Sequence, residues 1–322
     1  MEKTQGYIQI LPKAEGQEYS TFYVYLPAGA AYWAQYRFVY MQNPVNIALD
    51  YTNGPNDAAN CKLFRIRGAY IGTLTGDAFT PHFRALQQGE ISLAFREEGA
   101  GDFCGGFHGD EVLTGAVLTA DGRTLPLDQP YFGAFCAAEF VEDSVLNRCN
   151  TPELPLLRHT QRYVFRDGQI TLTQRAEWLH DAKPLVAAFM PMLTAQRLDP
   201  DQPTRILTDT VELYDRPNGA LLCRFSTADY GAESDGVSPD RACIDTPATA
   251  VKVFGTRSGF SAEAGFKVLN ESIPQAQIAA HLWIRFGTAL DNKIYFNIGK
   301  NTAPKAGTVW ESEVYYRLKY EV

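Results

Sequence analysis

The sequence predicts an all-β protein, a large antiparallel β-sandwich with very little helix, and three observations carry that expectation. Apolar and polar residues alternate with a period of two in stretch after stretch, as in Tyr36-Arg37-Phe38-Val39-Tyr40 and Ile170-Thr171-Leu172-Thr173. Turn signals made of Gly, Pro, Asn and Asp recur roughly every eight to twelve residues, the spacing of short strands in sandwiches and barrels. Aromatic residues, which favour pleated and half-buried surfaces, make up 12% of the chain. At 322 residues, 45% of them hydrophobic, the chain can fill one large core. No break in composition marks a boundary, so residues 1–322 read as a single domain.

The strands can be placed in order. Residues 7–11 and 21–26 are the first two, separated from a third at 32–41 by Pro27-Ala28-Gly29. In the next, 63–71, Phe64 and Ile66 share one face while Arg65 and Arg67 share the other. Residues 91–96 and 112–119 flank a glycine-rich loop, and Asp121-Gly122 then turns a tight hairpin into 124–127. From 139 to 157 the alternation weakens, and the stretch reads as a surface connection with a short helix over 139–147. Two long strands follow, 158–165 and 169–179, joined by Arg166-Asp167-Gly168. Residues 185–193 are almost wholly apolar and proline-broken, which suits a strand buried on both faces. Residues 206–215 and 220–226 form a hairpin, 227–247 read as a polar loop, and a helix fits near 271–279. The remaining strands are 250–255, 264–268, 280–287, 293–299 and 308–320.

The loop Gly101-Asp102-Phe103-Cys104-Gly105-Gly106-Phe107-His108-Gly109-Asp110-Glu111 is longer than a strand-to-strand link requires. Its glycines permit positive φ and close approach of a ligand. His108 is the natural acid or base there, because imidazole titrates near neutrality, and Asp110 or Glu111 could orient it. The same three side chains are also a candidate divalent-cation site, to which Asp102 could add an oxygen. Candidate substrate-binding residues are Arg65 and Arg67 for a carboxylate, His82 on a neighbouring loop, and Trp178 as a platform for a sugar ring. His159, Arg162 and Tyr163 form a set that suits elimination from a uronate: a base, a cation for the carboxylate, and a phenol for the leaving oxygen.

Three stretches resemble the galactose-mutarotase-like superfamily. They are Phe107-His108-Gly109-Asp110-Glu111 after a strand, Ile170 to Leu193, and Ala306-Gly307-Thr308 leading into a long aromatic strand. The resemblance implies a supersandwich acting on an oligosaccharide or polysaccharide, as aldose epimerases, polysaccharide lyases and some glycoside hydrolases do. Aldose epimerases place a catalytic histidine where this chain has Phe189-Met190-Pro191-Met192, which cannot move a proton. Glycosidic-bond cleavage from His108 is therefore the first expectation, elimination ahead of hydrolysis. The alternatives are a non-catalytic carbohydrate-binding or structural sandwich, or a sugar epimerase.

The formal charge of −8 argues against nucleic acid, and no window is apolar enough to cross a bilayer as a helix. No resident cofactor is expected: phosphate loops, dinucleotide fingerprints, serine elbows and zincin motifs are all missing from the sequence. The opening Met1-Glu2-Lys3-Thr4 lacks the pattern of a signal peptide. The six cysteines (61, 104, 136, 149, 223 and 243) are scattered, with neither zinc spacing nor a disulfide framework. Reduced thiols in a cytoplasmic protein are the expectation, and homo-oligomerisation stays open.

Overall fold

The computed structural model describes residues 5–42, 61–86, 93–106, 108–202, 204–227, 248–270, 273, 282–288 and 291–321. Among them every regular element is a strand, so no helix is long and apolar enough to cross a membrane. In chain order they are β1 (Gly6–Ile10), β2 (Phe22–Pro27), β3 (Trp33–Gln42), β4 (Cys61–Thr75), β5 (Ala78–Leu86), β6 (Ala94–Glu97) and β7 (Cys104–Gly105). Next come β8 (Glu111–Ala120), β9 (Arg123–Leu125), β10 (Tyr131–Phe135), β11 (Ala138–Arg148), β12 (Thr151–Arg166), β13 (Gln169–Trp178) and β14 (Leu185–Gln196). The last are β15 (Thr210–Tyr214), β16 (Leu221–Ser226), β17 (Ala250–Phe254), β18 (Phe260–Val268), β19 (Leu282–Thr288), β20 (Asp291–Asn297) and β21 (Val309–Tyr320).

The pairings resolve into two antiparallel strips. One runs β9-β8-β11-β12-β13-β21-β18-β17-β15-β16. The other runs β10-β1-β2-β3-β4-β5-β14-β20-β19, with β6 beside β14 and β7 beside β6. Among the described residues one parallel pairing stitches them together, with Cys61 of β4 opposite Glu111 of β8 and Lys62 opposite Val112. Between the strips lies the main core. Phe22, Phe38 and Phe64 of the second strip pack on Phe140, Tyr163 and Phe165 of the first, with ring centroids 4.9–5.8 Å apart. The expected sandwich is the observed one.

Local readings hold where chemistry is short-range. Asp121-Gly122 and Asp167-Gly168 both adopt positive φ, the geometry a two-residue hairpin turn requires. β14 is buried on both faces as expected, apart from Val186, which is exposed. Ala188, Met190 and Leu193 join the main core, whereas Ala187, Phe189 and Met192 join a second cluster with Ala94, Tyr295 and Phe103.

Three readings are corrected. Residues 138–148 form a strand, not a connection with a helix. Ala138, Phe140, Glu142, Ser144 and Leu146 all point inward, so polar side chains at two inward positions conceal the alternation. His82 lies on a strand, β5, which the sequence reading passed over together with β10. Cys223 is disulfide-bonded, so the thiols are not all reduced. The proposed loop at 227–247 falls outside the described residues beyond Thr227, and the helix at 271–279 does so except for Ile273.

The proline in β14 breaks the ladder between Phe189 and Met192, and Tyr316 repairs it. Its hydroxyl donates to the Met192 carbonyl (3.0 Å) and accepts from the Met192 amide (3.2 Å). Tyr316→Phe should strand both buried backbone groups and lower unfolding free energy by about 1–3 kcal/mol in urea denaturation, with the far-ultraviolet spectrum unchanged. An unchanged midpoint would show that the bulge does not need the hydroxyl.

Candidate functional site

The loop between β6 and β8 folds back on itself because four residues near its end adopt positive φ: Gly105 (74°), Gly106 (58°), Gly109 (80°) and Asp110 (56°). At Gly105 no other residue would fit, since a Cβ there would sit 2.5 Å from the Leu93 carbonyl oxygen. The resulting turn is closed by the Gly105 amide donating to the Gly109 carbonyl and the His108 amide to the Gly105 carbonyl, each at 3.0 Å.

This fold gives the loop two sides. On the outer side, His108, with a fifth of its side chain exposed, lies tilted beside Phe103 (centroids 5.0 Å apart, 33° between planes), and Phe103 stacks on Phe189 at 5.4 Å. The Arg96 guanidinium lies over the Phe103 ring, 5.3 Å from its centroid. The carboxylate beside the imidazole is Asp102, with His108 Nδ1 3.4 Å from its Oδ1. The Phe103 amide also donates to that oxygen (2.7 Å). The His108 contact, with help from the Phe103 amide and the Arg96 charge, holds the Asp102 carboxyl below its usual range. A carboxylate beside one imidazole nitrogen favours the protonated ring, and the imidazole is a group able to move a proton near neutral pH.

On the inner side lies a sealed polar network. Arg65, fully buried, donates from Nε to the Gly106 carbonyl (2.8 Å), from Nη1 to the Phe64 carbonyl (2.8 Å), and from Nη2 to Glu111 Oε2. Glu111 Oε1 accepts from Ser144 Oγ (2.6 Å) and lies 3.2 Å from His159 Nδ1. His159 Nε2 is 3.0 Å from Gln174 Oε1, which also accepts from the Leu93 amide. A second carboxylate, Glu142, has Oε1 3.5 Å from Arg65 Nη1 and accepts there from Gln161 Nε2 (2.8 Å). Tyr163 closes the set by donating to Gln161 Oε1 (3.0 Å).

Two buried carboxylates thus compete for one guanidinium, and they settle apart. Burial opposes ionisation of Glu111, but the Arg65 charge and the contacts to His159 and Ser144 outweigh it and hold this group down at about 2. Burial, reinforced by the Glu111 charge, pushes Glu142 up to about 8 in spite of Arg65. Burial and the neighbouring Glu142 raise the Tyr163 phenol well above its ordinary range.

The nominated residues therefore divide. Arg65, Glu111, His159 and Tyr163 do come together, but in the interior, where each is buried and none meets solvent. Glu111 stands with Arg65, and Asp110 is buried with its Oδ2 accepting from the Asn150 amide (3.1 Å), so neither is placed beside His108 as the sequence reading expected. The elimination set is split as well, because Arg162 points outward from β12 to Glu139 while His159 and Tyr163 point inward. Trp178 is fully buried against Phe95 and Trp310, which removes it as a sugar platform. Arg67 reaches Met41, and exposed His82 sits edge-on to Tyr32 at 5.4 Å. The sequence reading missed Phe103, Arg96, Glu142 and Ser144. The two on β11 were signalled only by polar residues at an inward period of two.

No protein-family model matches the chain, and no curated protein sequence does. Among solved structures it is similar to galactose 1-epimerase from Lactobacillus acidophilus (8% identity, 99% of this chain and 100% of that one, TM-score 0.35). It is also similar to the GH36 α-galactosidase AgaB from Geobacillus stearothermophilus (12%, 98% and 40%, 0.42). A third is a mutant of the heparan sulfate lyase HepC from Pedobacter heparinus (10%, 97% and 37%, 0.36). The chain spans well under half the length of the last two. At these scores the chemistry is read from the site itself.

Removing Arg65 leaves the ionised Glu111 buried without its cation, so Arg65→Met should cost about 3–5 kcal/mol in chemical denaturation near neutral pH. A loss no larger than that of an exposed substitution would show that the pair is dispensable. The two carboxylates also make opposite contributions to stability against pH. Glu111, depressed from 4.5 to about 2, stabilises fully above 4.5 and loses that contribution as pH falls towards 2. Glu142, raised from 4.5 to about 8, stabilises fully below 4.5 and loses its contribution as pH rises through 8. Glu142→Gln should flatten the alkaline fall in stability between those values and leave the acid limb in place. An identical profile in the variant would contradict the assignment.

Proposed function

We propose that the chain is a carbohydrate-active protein in which a sugar ring rests on Phe103 and His108 acts as general acid or base under the control of Asp102. One observation carries the reading: a partly buried imidazole, 19% exposed and 3.4 Å from the Asp102 carboxylate, lies tilted beside a partly buried aromatic ring with a guanidinium close by. The apolar C–H face of a pyranose fits a flat aromatic surface, while its hydroxyls need convergent donors and acceptors. Arg96 supplies a donor and a charge suited to an acidic sugar, and His108 supplies the proton. Hydrolysis, elimination and epimerisation all draw on such a group. The inward burial of His159 and Tyr163 takes away the specific support for elimination by that set.

A second reading, binding without turnover, is favoured by the placement of Asp110 and Glu111. Both are buried, and Asp102 is a carboxylate found beside His108. Glycan binding followed by calorimetry, together with product analysis on the same panel, separates the two. Phe103→Ala should weaken binding about tenfold, equivalent to ~1.4 kcal/mol. His108→Gln should leave binding nearly intact and lower turnover by about 10²–10⁴-fold. Wild-type turnover in His108→Gln would end the acid–base reading and leave binding alone. Unchanged binding in Phe103→Ala would remove the site altogether.

A further inference from the structure

The loop that presents His108 also gathers three ligand-type side chains on its other flank, and this gathering does not depend on the reading of His108. Cys104 begins the turn and Asp110 ends it, both buried, while half-buried Cys149 follows β11. One ligand atom from each, two thiol sulfurs and a carboxylate oxygen, lies within 4.8 Å of the others. We propose that Cys104, Asp110 and Cys149 form a binding site for a borderline-soft divalent ion of the Zn2+ class.

The backbone builds this convergence. Positive φ at Gly105, Gly106, Gly109 and Asp110 reverses the chain and returns Asp110 to Cys104 six residues later. The Asn147 amide donates to the Asp110 carbonyl (2.7 Å), and the Asn150 amide to Asp110 Oδ2 (3.1 Å), which fastens the aspartate to the turn that carries Cys149. Both ends are braced, because Arg148 is bidentate to Glu97 (2.8 and 3.1 Å) and the Lys183 amide donates to the same carboxylate.

The donor set selects the ion. Thiolates and a carboxylate suit zinc, with sulfur at about 2.3 Å and oxygen at about 2.0–2.2 Å, whereas magnesium and calcium require oxygen throughout. Three protein ligands leave a coordination position for water or a substrate oxygen, and the partial exposure of Cys149 places an approach on that side. A disulfide between the two cysteines would use two of the three groups and leave the buried carboxylate facing sulfur. The spacing Cys-x5-Asp with a distant Cys matches no zinc signature, so the sequence alone gives no sign of it. A bound ion would fasten the loop of His108 to the end of β11.

The test is titration of the full chain, kept under reductant without a chelator, with Co2+ as probe. A sulfur-to-cobalt charge-transfer band should appear at one ion per chain and vanish when Zn2+ displaces it. Cys149→Ser should reduce the band to about half, since one thiolate remains, and Cys104→Ser/Cys149→Ser should abolish it. Asp110→Asn should keep the band but weaken affinity about tenfold or more. In the unmodified protein Zn2+ should also slow alkylation of Cys149, a readout that needs no variant to fold. The proposal is overturned if the native chain gives no band, if the double variant gives the same one, or if mass analysis finds Cys104 joined to Cys149 under reductant.

Discussion

A guanidinium sealed between two carboxylates is the constraint around which the functional end of this protein is built. Taking three ionisable groups out of water costs several kcal/mol each, and only good geometry with full hydrogen bonding offsets it. Arg65 meets that demand by donating to two backbone carbonyls and one carboxylate, while the carboxylates are met by Ser144, Gln161 and a main-chain amide. The place matters as much as the strength. Glu111 opens β8 at the parallel contact seen between the strips, and Gly106 lies within the turn of the loop. One side chain therefore fixes the junction of the sandwich and the path of the chain that carries His108.

The loop itself works as a two-sided device. Its backbone reversal turns Asp102, Phe103 and His108 to the outer side, over the second apolar cluster on β14. The same reversal turns Cys104 and Asp110 towards the end of β11. Because β14 is packed on both faces, Phe103 stands on a rigid floor, which is what a site requires if its aromatic surface is to be presented in one orientation. The split of ionisation between Glu111 and Glu142 belongs to the interior and sets stability against pH. It is separate from the outer imidazole, whose carboxylate is Asp102.

Much of the architecture could be read from residues close together in the chain. Alternation located most strands, Asp121-Gly122 and Asp167-Gly168 fixed their hairpins, and the apolar run at 185–193 announced burial on both faces. The glycine loop and His108 stood out for the same reason, since the signal is local. The failures are long-range. Glu142 and Ser144 disguised β11 because their partners, Arg65 and Glu111, are more than thirty residues away, and an inward polar residue looks like an outward one until its partner is known. His108 was assigned the acids that follow it, whereas Glu111 turns inward to Arg65, Asp110 is tied to the Asn150 amide, and the preceding Asp102 lies beside the imidazole. Cys149 was invisible as a neighbour of Cys104, because only tertiary folding brings them together.

The central claim is that the buried guanidinium shapes the loop as well as adding stability. Hydrogen–deuterium exchange of native chain and Arg65→Met, compared at one pH well below the unfolding transition, tests it most directly. The account predicts faster exchange concentrated at the amides of Gly105, His108 and Asn147, whose bonds close the turn, with the amides of β12 and β13 changed far less. Acceleration spread evenly over all strands, or none in the loop, would contradict it.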